Sequence, residues 1–253
     1  MSVLTPSHSF SETADFPETA DIETSSDDYA RRFEGDVGRW FLKIQEQITT
    51  EMVGVFPSPR VLDVGGGHGQ VTGALLENGC DVVILGSAES CRKRVEPFLD
   101  GHKCSFRVGN LIDLPFGNQE FDVVISYRLL PHCERWKQLI AELCRVAREA
   151  VIVDFPEVYS VNAIAPWLFK WKKGIEKNTR PFTCFKQVDV VREFADHGFR
   201  VDGRCPEFFF PMVLHRALNV PLVSAALEKG CRCLRLTEMF GSPVILKMVR
   251  SVQ

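Results

Sequence analysis

The stretch Val61-Leu62-Asp63-Val64-Gly65-Gly66-Gly67-His68-Gly69-Gln70 decides how this chain is read. A short apolar run ending in Asp63-x-Gly65-x-Gly67-x-Gly69 is a strand that breaks into a glycine loop. Without Cβ atoms the backbone there can turn sharply and lie against a ligand. Amides opening the next helix, expected over 71–78, then face that ligand. Spacing excludes two phosphate-binding alternatives. A dinucleotide fingerprint needs a glycine three residues after its second glycine, but Gln70 follows Gly67 and Thr72 follows Gly69. A P-loop needs Gly-Lys-Ser/Thr, which is absent.

Outward from the loop the text alternates in α/β fashion. Apolar runs at 60–64, 82–85, 106–108, 121–126 and 150–154 read as strands, with helices expected at 71–78, 89–99 and 136–147 between them. Continuous apolar strands separated by helices are what a parallel sheet buried on both faces requires. A helix over 187–197, a strand near 199–204, a helical insertion at 208–240 and a final strand at 243–249 complete the pattern. Upstream, Tyr29, Phe33, Val37, Trp40, Phe41, Ile44 and Ile48 recur at helical spacing. They predict an amphipathic helix over 27–53, with Ser26 and Asp27 as candidate caps and Gly35 and Gly38 as weak points.

Composition narrows the function. The 253 residues suit one α/β domain with appendages, and 45% hydrophobic content allows a substantial core. The formal charge is −3, but residues 1–28 hold seven acids and no Lys or Arg, so the remainder is mildly basic. That balance argues against a nucleic-acid binder. There is no apolar run of about 18 residues and no secretory signal pattern, so a cytoplasmic protein without a transmembrane segment is expected. Nine scattered cysteines read as small buried hydrophobes in a reducing compartment, with no metal-ligand spacing. The first 25 residues, rich in Ser, Thr, Pro and acid, read as a disordered tail.

Four segments, in order, resemble the class I S-adenosylmethionine-dependent methyltransferases of small-molecule type, such as the quinone-biosynthesis enzymes. They are the glycine loop, Val108-Gly-Asn-Leu-Ile-Asp-Leu-Pro-Phe116, Phe121-Asp-Val-Val-Ile-Ser-Tyr-Arg-Leu-Leu-Pro-His132, and the helix and strand over 139–154. The resemblance covers 58–155 strongly and the rest weakly. It implies a Rossmann-like, seven-stranded, mostly parallel sheet with an antiparallel last strand and helices on both faces. Helical insertions follow the fifth strand and precede the last. The expected organisation is a tail at 1–25 and a methyltransferase domain at 26–253, with a cover helix at 27–53 and lid or substrate insertions at 157–180 and 208–240.

The same resemblance implies S-adenosyl-L-methionine as cofactor. Gly65, Gly66, Gly67 and Gly69 would line its methionine and ribose portions, with Asp63 steadying the loop. Asn110 and Leu111 would border the adenine, Ser126 would close the methionine side, and Arg32 is a candidate partner for the cofactor carboxylate. Two departures stand out: Asn110 stands where many members have an adenine-side Asp, and Gly86 occupies the end of the second strand, where the family places a ribose-binding acid. Ser87 or Glu89 could assume part of that role.

The sulfonium makes the methyl group electrophilic, so a general base is needed only for a protonated acceptor. His132 and His215 are the catalytic candidates, Asp154 and Glu157 could orient an acceptor, and His68 is expected to point outward. The expected reaction is O- or C-methylation of a small apolar or aromatic molecule. The alternative is a catalytically inactive methyltransferase-like binding domain. The aromatic and lysine-rich stretch 164–177 fits a lid over a lipophilic acceptor, contact with an anionic membrane surface, or a packed helix with solvated lysines. An amino-methylating nucleic-acid enzyme is disfavoured, since Ser126-Tyr-Arg-Leu stands where Asn/Asp-Pro-Pro-Tyr/Phe would be.

Overall fold

A computed structural model describes residues 16–161 and 182–251. Seven strands form one sheet: β1 (Arg60–Val64), β2 (Asp81–Gly86), β3 (Cys104–Val108), β4 (Phe121–Ser126), β5 (Ala147–Phe155), β6 (Phe199–Pro206) and β7 (Val244–Arg250). Their order is β3-β2-β1-β4-β5-β7-β6, with β7 antiparallel to both neighbours and the other pairings parallel. Alternation along each strand feeds two apolar layers. Leu62, Val64, Val124 and Val151 face one cluster, and Val61, Val123, Ile125 and Ile152 the other. The chain reverses direction between β1 and β4, and in such sheets ligands bind beyond the strand C-termini at that switch point.

The helices are α1 (Ala20–Thr24), α2 (Asp27–Ala30), α3 (Gly35–Val53), α4 (Thr72–Glu77), α5 (Trp136–Val146), α6 (Gln187–Asp196), α7 (Met212–Leu218), α8 (Pro221–Cys233) and α9 (Leu236–Phe240). The helical insertion expected at 208–240 is present as α7 to α9. Three expectations need correction. The helix expected over 27–53 is interrupted: Ser26 Oγ caps α2, a 3₁₀ turn follows, Glu34 is extended, and Gly35 at φ +76° starts α3. A Cβ on Gly38 would lie 2.2 Å from the Phe33 carbonyl, so the glycine lets the two segments fold tightly together. The helix expected over 89–99 is instead two 3₁₀ turns, Glu89–Arg92 and Glu96–Phe98. Pro97 lacks the N–H that a continuous helix would use and disfavours helical geometry at Glu96. The tail expected to run unpacked to residue 25 gives way to structure within its described part: Glu18, Ala20, Asp21, Thr24 and Ser25 are buried. The stretch 164–177 lies outside the described residues.

A third apolar cluster of Phe33, Val37, Phe41 and Phe208, with Tyr29, Trp40 and Met212 against it, joins α3 to the α7 region. It roofs the carboxyl edge of the sheet on the β4 to β6 side.

Candidate active site

The glycine loop leaves β1 with Gly65 at φ +75° and closes with Gly69 at φ +68°, a left-handed geometry suited to glycine. The loop folds over Asp63: a Cβ on Gly66 would lie 2.2 Å from that carboxyl carbon. Both Asp63 oxygens are buried without a hydrogen-bond partner among the described residues, and burial pushes the carboxyl up to about 7. His68 turns inward rather than outward. Burial, aided by the positive charges of Arg128 and Arg94, pulls its pKa down to about 3, so it is a neutral imidazole. Its Nδ1 accepts from the Gln70 amide at 3.3 Å. A side-chain-free cradle above an unpartnered carboxyl group suits an extended polar cofactor.

α1 lies on this cradle. A Cβ on Gly65 would meet Asp21 Cβ at 3.5 Å, and one on Gly67 would meet Ser25 Oγ at 2.4 Å. Asp21 is fastened to the end of β2. Its Oδ2 accepts from the Ser87 amide at 2.7 Å and from Cys91 Sγ at 3.3 Å, and its Oδ1 accepts from Ser87 Oγ. Glu18 Oε1 accepts from the Arg135 amide at 3.0 Å, and Ala20 joins the core cluster that contains Leu85, Leu111 and Leu129.

Beyond β4, β5 and β6 a second polar group converges. The Arg128 amide donates to Asp154 Oδ1 at 2.6 Å, and Arg128 Nη2 donates to Gln45 Oε1 at 3.3 Å. The guanidinium lies 4.1 Å from the Phe33 ring centre and 5.6 Å from that of Tyr29. Asp154 is buried, which pushes its carboxyl up to about 6 against the pull of Arg128. Glu207, buried just after β6, is pushed up to about 8 by burial and then by the Asp154 charge. Its Oε1 and Arg128 Nη1 have no hydrogen-bond partner among the described residues. Beneath them Tyr127, the largest fully buried side chain among the described residues, shares a 2.7 Å hydrogen bond with Thr49.

Comparison with known proteins agrees with this architecture. A family model described as "Methyltransferase domain" matches residues 62–153, from β1 through β5. Residues 62–153 are thus similar to the class I S-adenosylmethionine-dependent methyltransferases. The chain is 26% identical over 168 residues to malonyl-[acyl-carrier protein] O-methyltransferase of Methylococcus capsulatus, covering 62% of this chain and 59% of that one. It is 30% identical over 127 residues to demethylmenaquinone methyltransferase of Renibacterium salmoninarum, covering 48% and 49%. The chain thus spans about half the length of these curated relatives. The structure of magnesium protoporphyrin IX methyltransferase from Synechocystis PCC 6803 with bound S-adenosylhomocysteine shares the fold. Its TM-score is 0.60 at 20% identity, covering 88% of this chain and 94% of that one.

Within this methyltransferase fold the residues singled out from sequence fall into distinct places. Gly65, Gly66, Gly67 and Gly69 form the cradle, and Ser126 Oγ donates to the Val64 carbonyl, tying β4 to β1 beneath it. Asn110 Oδ1 accepts from the Ile112 amide, shaping the turn after β3, while Leu111 is fully buried in the core. Ser87 is bound to Asp21. Arg32 does not enter the cleft: its side chain is 47% exposed, 4.0 Å from Glu23 and stacked on Tyr29.

His215 is equally remote from any open surface. It is fully buried, bonded through Nε2 to Glu228 at 2.9 Å and ringed by Trp40, Phe41, Phe208 and Phe210. Glu228 also accepts from the Phe209 and Phe210 amides, so the pair braces the roof. His132 stands half-buried beside Phe182, ring centres 5.5 Å apart. Glu157 accepts from the first amide of α6 at 3.3 Å and serves the fold. Asp21, Arg128 and Glu207 went unnoticed in the sequence. Only Arg128 carried a signal, its place directly after the β4 segment.

Proposed function

We propose that this chain transfers the methyl group of S-adenosylmethionine to a small acceptor seated over the ends of β4, β5 and β6, with Asp154 receiving the acceptor's proton. The observation that carries the reading is the group of half-buried Arg128 with buried Asp154 and Glu207 beside the glycine cradle. Bound in the cradle, the cofactor supplies an electrophilic methyl group on its sulfonium. Gly65, Gly66, Gly67 and Gly69 would hold it through close backbone approach.

The chain's own work is orientation and proton handling. A carboxyl near pKa 6 is ionised at neutral pH yet basic enough to take a proton from a hydroxyl or an acidic carbon. Arg128 Nη1 and the protonated Glu207 leave donors for polar atoms of the acceptor. Tyr29, Phe33 and Phe208 supply an apolar wall that favours an aromatic or apolar acceptor and keeps out water. Asp154 thereby replaces the two histidines as candidate base. The curated relatives' names, one an O-methyltransferase and one acting on a demethylated quinone, fit an oxygen or carbon acceptor. Nine free cysteines favour a reducing, cytoplasmic setting.

Thermal denaturation with S-adenosylhomocysteine tests the reading. At about a hundredfold over Kd the ligand should add about 2.7 kcal/mol, a rise of several degrees. Gly67→Leu should abolish the rise. No shift at millimolar ligand overturns the assignment.

A further inference from the structure

We propose that α1 is an internal occupant of the cofactor site, and that S-adenosylmethionine binds only after residues 18–25 have left the glycine cradle. The inference rests on the cofactor reading given above. Its starting point is the missing acid at the end of β2. A Cβ on Gly86 would sit 2.8 Å from Cys91 Cβ and 2.9 Å from the Phe106 ring, so β2 has no room there for a side chain. The carboxylate that does reach this corner comes from Asp21, 65 positions upstream.

Two roles are open to such a carboxylate: a partner for the ribose hydroxyls, or a substitute for the nucleoside itself. Packing decides between them. Asp21 directs its oxygens at three protein donors, the Ser87 amide, Ser87 Oγ and Cys91 Sγ. The body of α1 also touches the glycines: Asp21 Cβ reaches the Gly65 position and Ser25 Oγ the Gly67 position. At these distances no layer of ligand fits between helix and loop. The contacts extend along the whole segment. Glu18 caps the amide of Arg135, Arg94 Nε donates to the Ser25 carbonyl at 3.1 Å, and Asp27 pairs with Lys93 and Arg94 at 2.7 and 2.8 Å. Glu18, Asp21 and Asp27 therefore have specific partners around the cleft. Because only the released state can take cofactor, the apparent affinity is reduced by the released fraction.

The test is calorimetric titration of S-adenosylhomocysteine into the full chain and its Asp21→Ala variant, with amide exchange of residues 18–25 followed in both. The expected result is binding at least tenfold tighter in the variant, together with loss of amide protection over 18–25 when the unmodified protein is saturated. Equal or weaker binding by the variant overturns the proposal, and weaker binding makes Asp21 a ribose partner. Saturation with protection of 18–25 retained overturns it independently. No binding by either protein overturns it as well and removes the cofactor reading with it, whereas the preceding outcomes leave that reading standing.

Discussion

Buried carboxylates at the carboxyl edge of the sheet, Asp21 on one side and Asp154 and Glu207 on the other, are treated in opposite ways. Over β1 and β2, Asp21 is buried with hydrogen bonds to both of its oxygens, donated by groups at the end of the neighbouring strand. Over β5 and β6, Asp154 spends one bond on the Arg128 amide and Glu207 Oε1 has none among the described residues. The lone pairs of Asp21 are satisfied within the protein. Where partners are fewer, burial lifts the carboxyls, to about 6 at Asp154 and to about 8 at Glu207, which keeps its proton at neutral pH. The first arrangement belongs to a closed contact. The second leaves bonding capacity for a molecule that is not part of the chain.

The sharpest way to break this contrast is Asp154→Asn. Single-turnover transfer to an acceptor drawn from a panel of phenols, quinols and carboxylic acids should slow about 10²- to 10⁴-fold. Affinity for S-adenosylhomocysteine should stay within about threefold. An equal loss in both would assign Asp154 to the scaffold that holds Arg128.

Glu207→Gln should act on stability instead. In the unfolded chain Glu207 loses its proton near 4.5, and in the folded protein only near 8. The folded state is therefore favoured in full below pH 4.5, and this contribution is lost as pH rises toward 8. The amide has no proton to lose, so the variant's melting temperature should gain on the parent's between pH 4.5 and 8, by about 5 °C or more. A gap independent of pH would contradict the raised carboxyl. The smallest effect is expected for Arg32→Ala: an exposed guanidinium 4.0 Å from its acid should change cofactor affinity less than about twofold.

The parts of the molecule legible in sequence were those whose pattern is local. β1 and β4 run over the residues expected, because short runs with four or five buried, mostly apolar side chains admit few other readings. The glycine loop was equally plain, since its spacing is its geometry. α1 was hidden for a physical reason. Glu18, Asp21, Thr24 and Ser25 are polar residues buried against groups up to about a hundred positions away, and composition alone assigns such a run to solvent. Arg128 and Glu207 were missed for the same cause, as each gains its meaning from strands brought together by the sheet. His215 misled in the other direction. A histidine in an insertion suggests reach, but here the surrounding aromatic rings and Glu228 enclose it.

Cys91 gives this arrangement a chemical signal of its own. Its thiol is buried, donates to Asp21, and is pushed up to about 12 by burial and by the neighbouring acid. Thiol reagents attack the thiolate, so Cys91 is shielded twice, by lack of access and by lack of ionisation, while α1 is seated. Departure of α1 removes the carboxylate beside the sulfur. The rate of alkylation at this one cysteine then becomes a clock for how often the cleft is vacant, readable without any ligand at all.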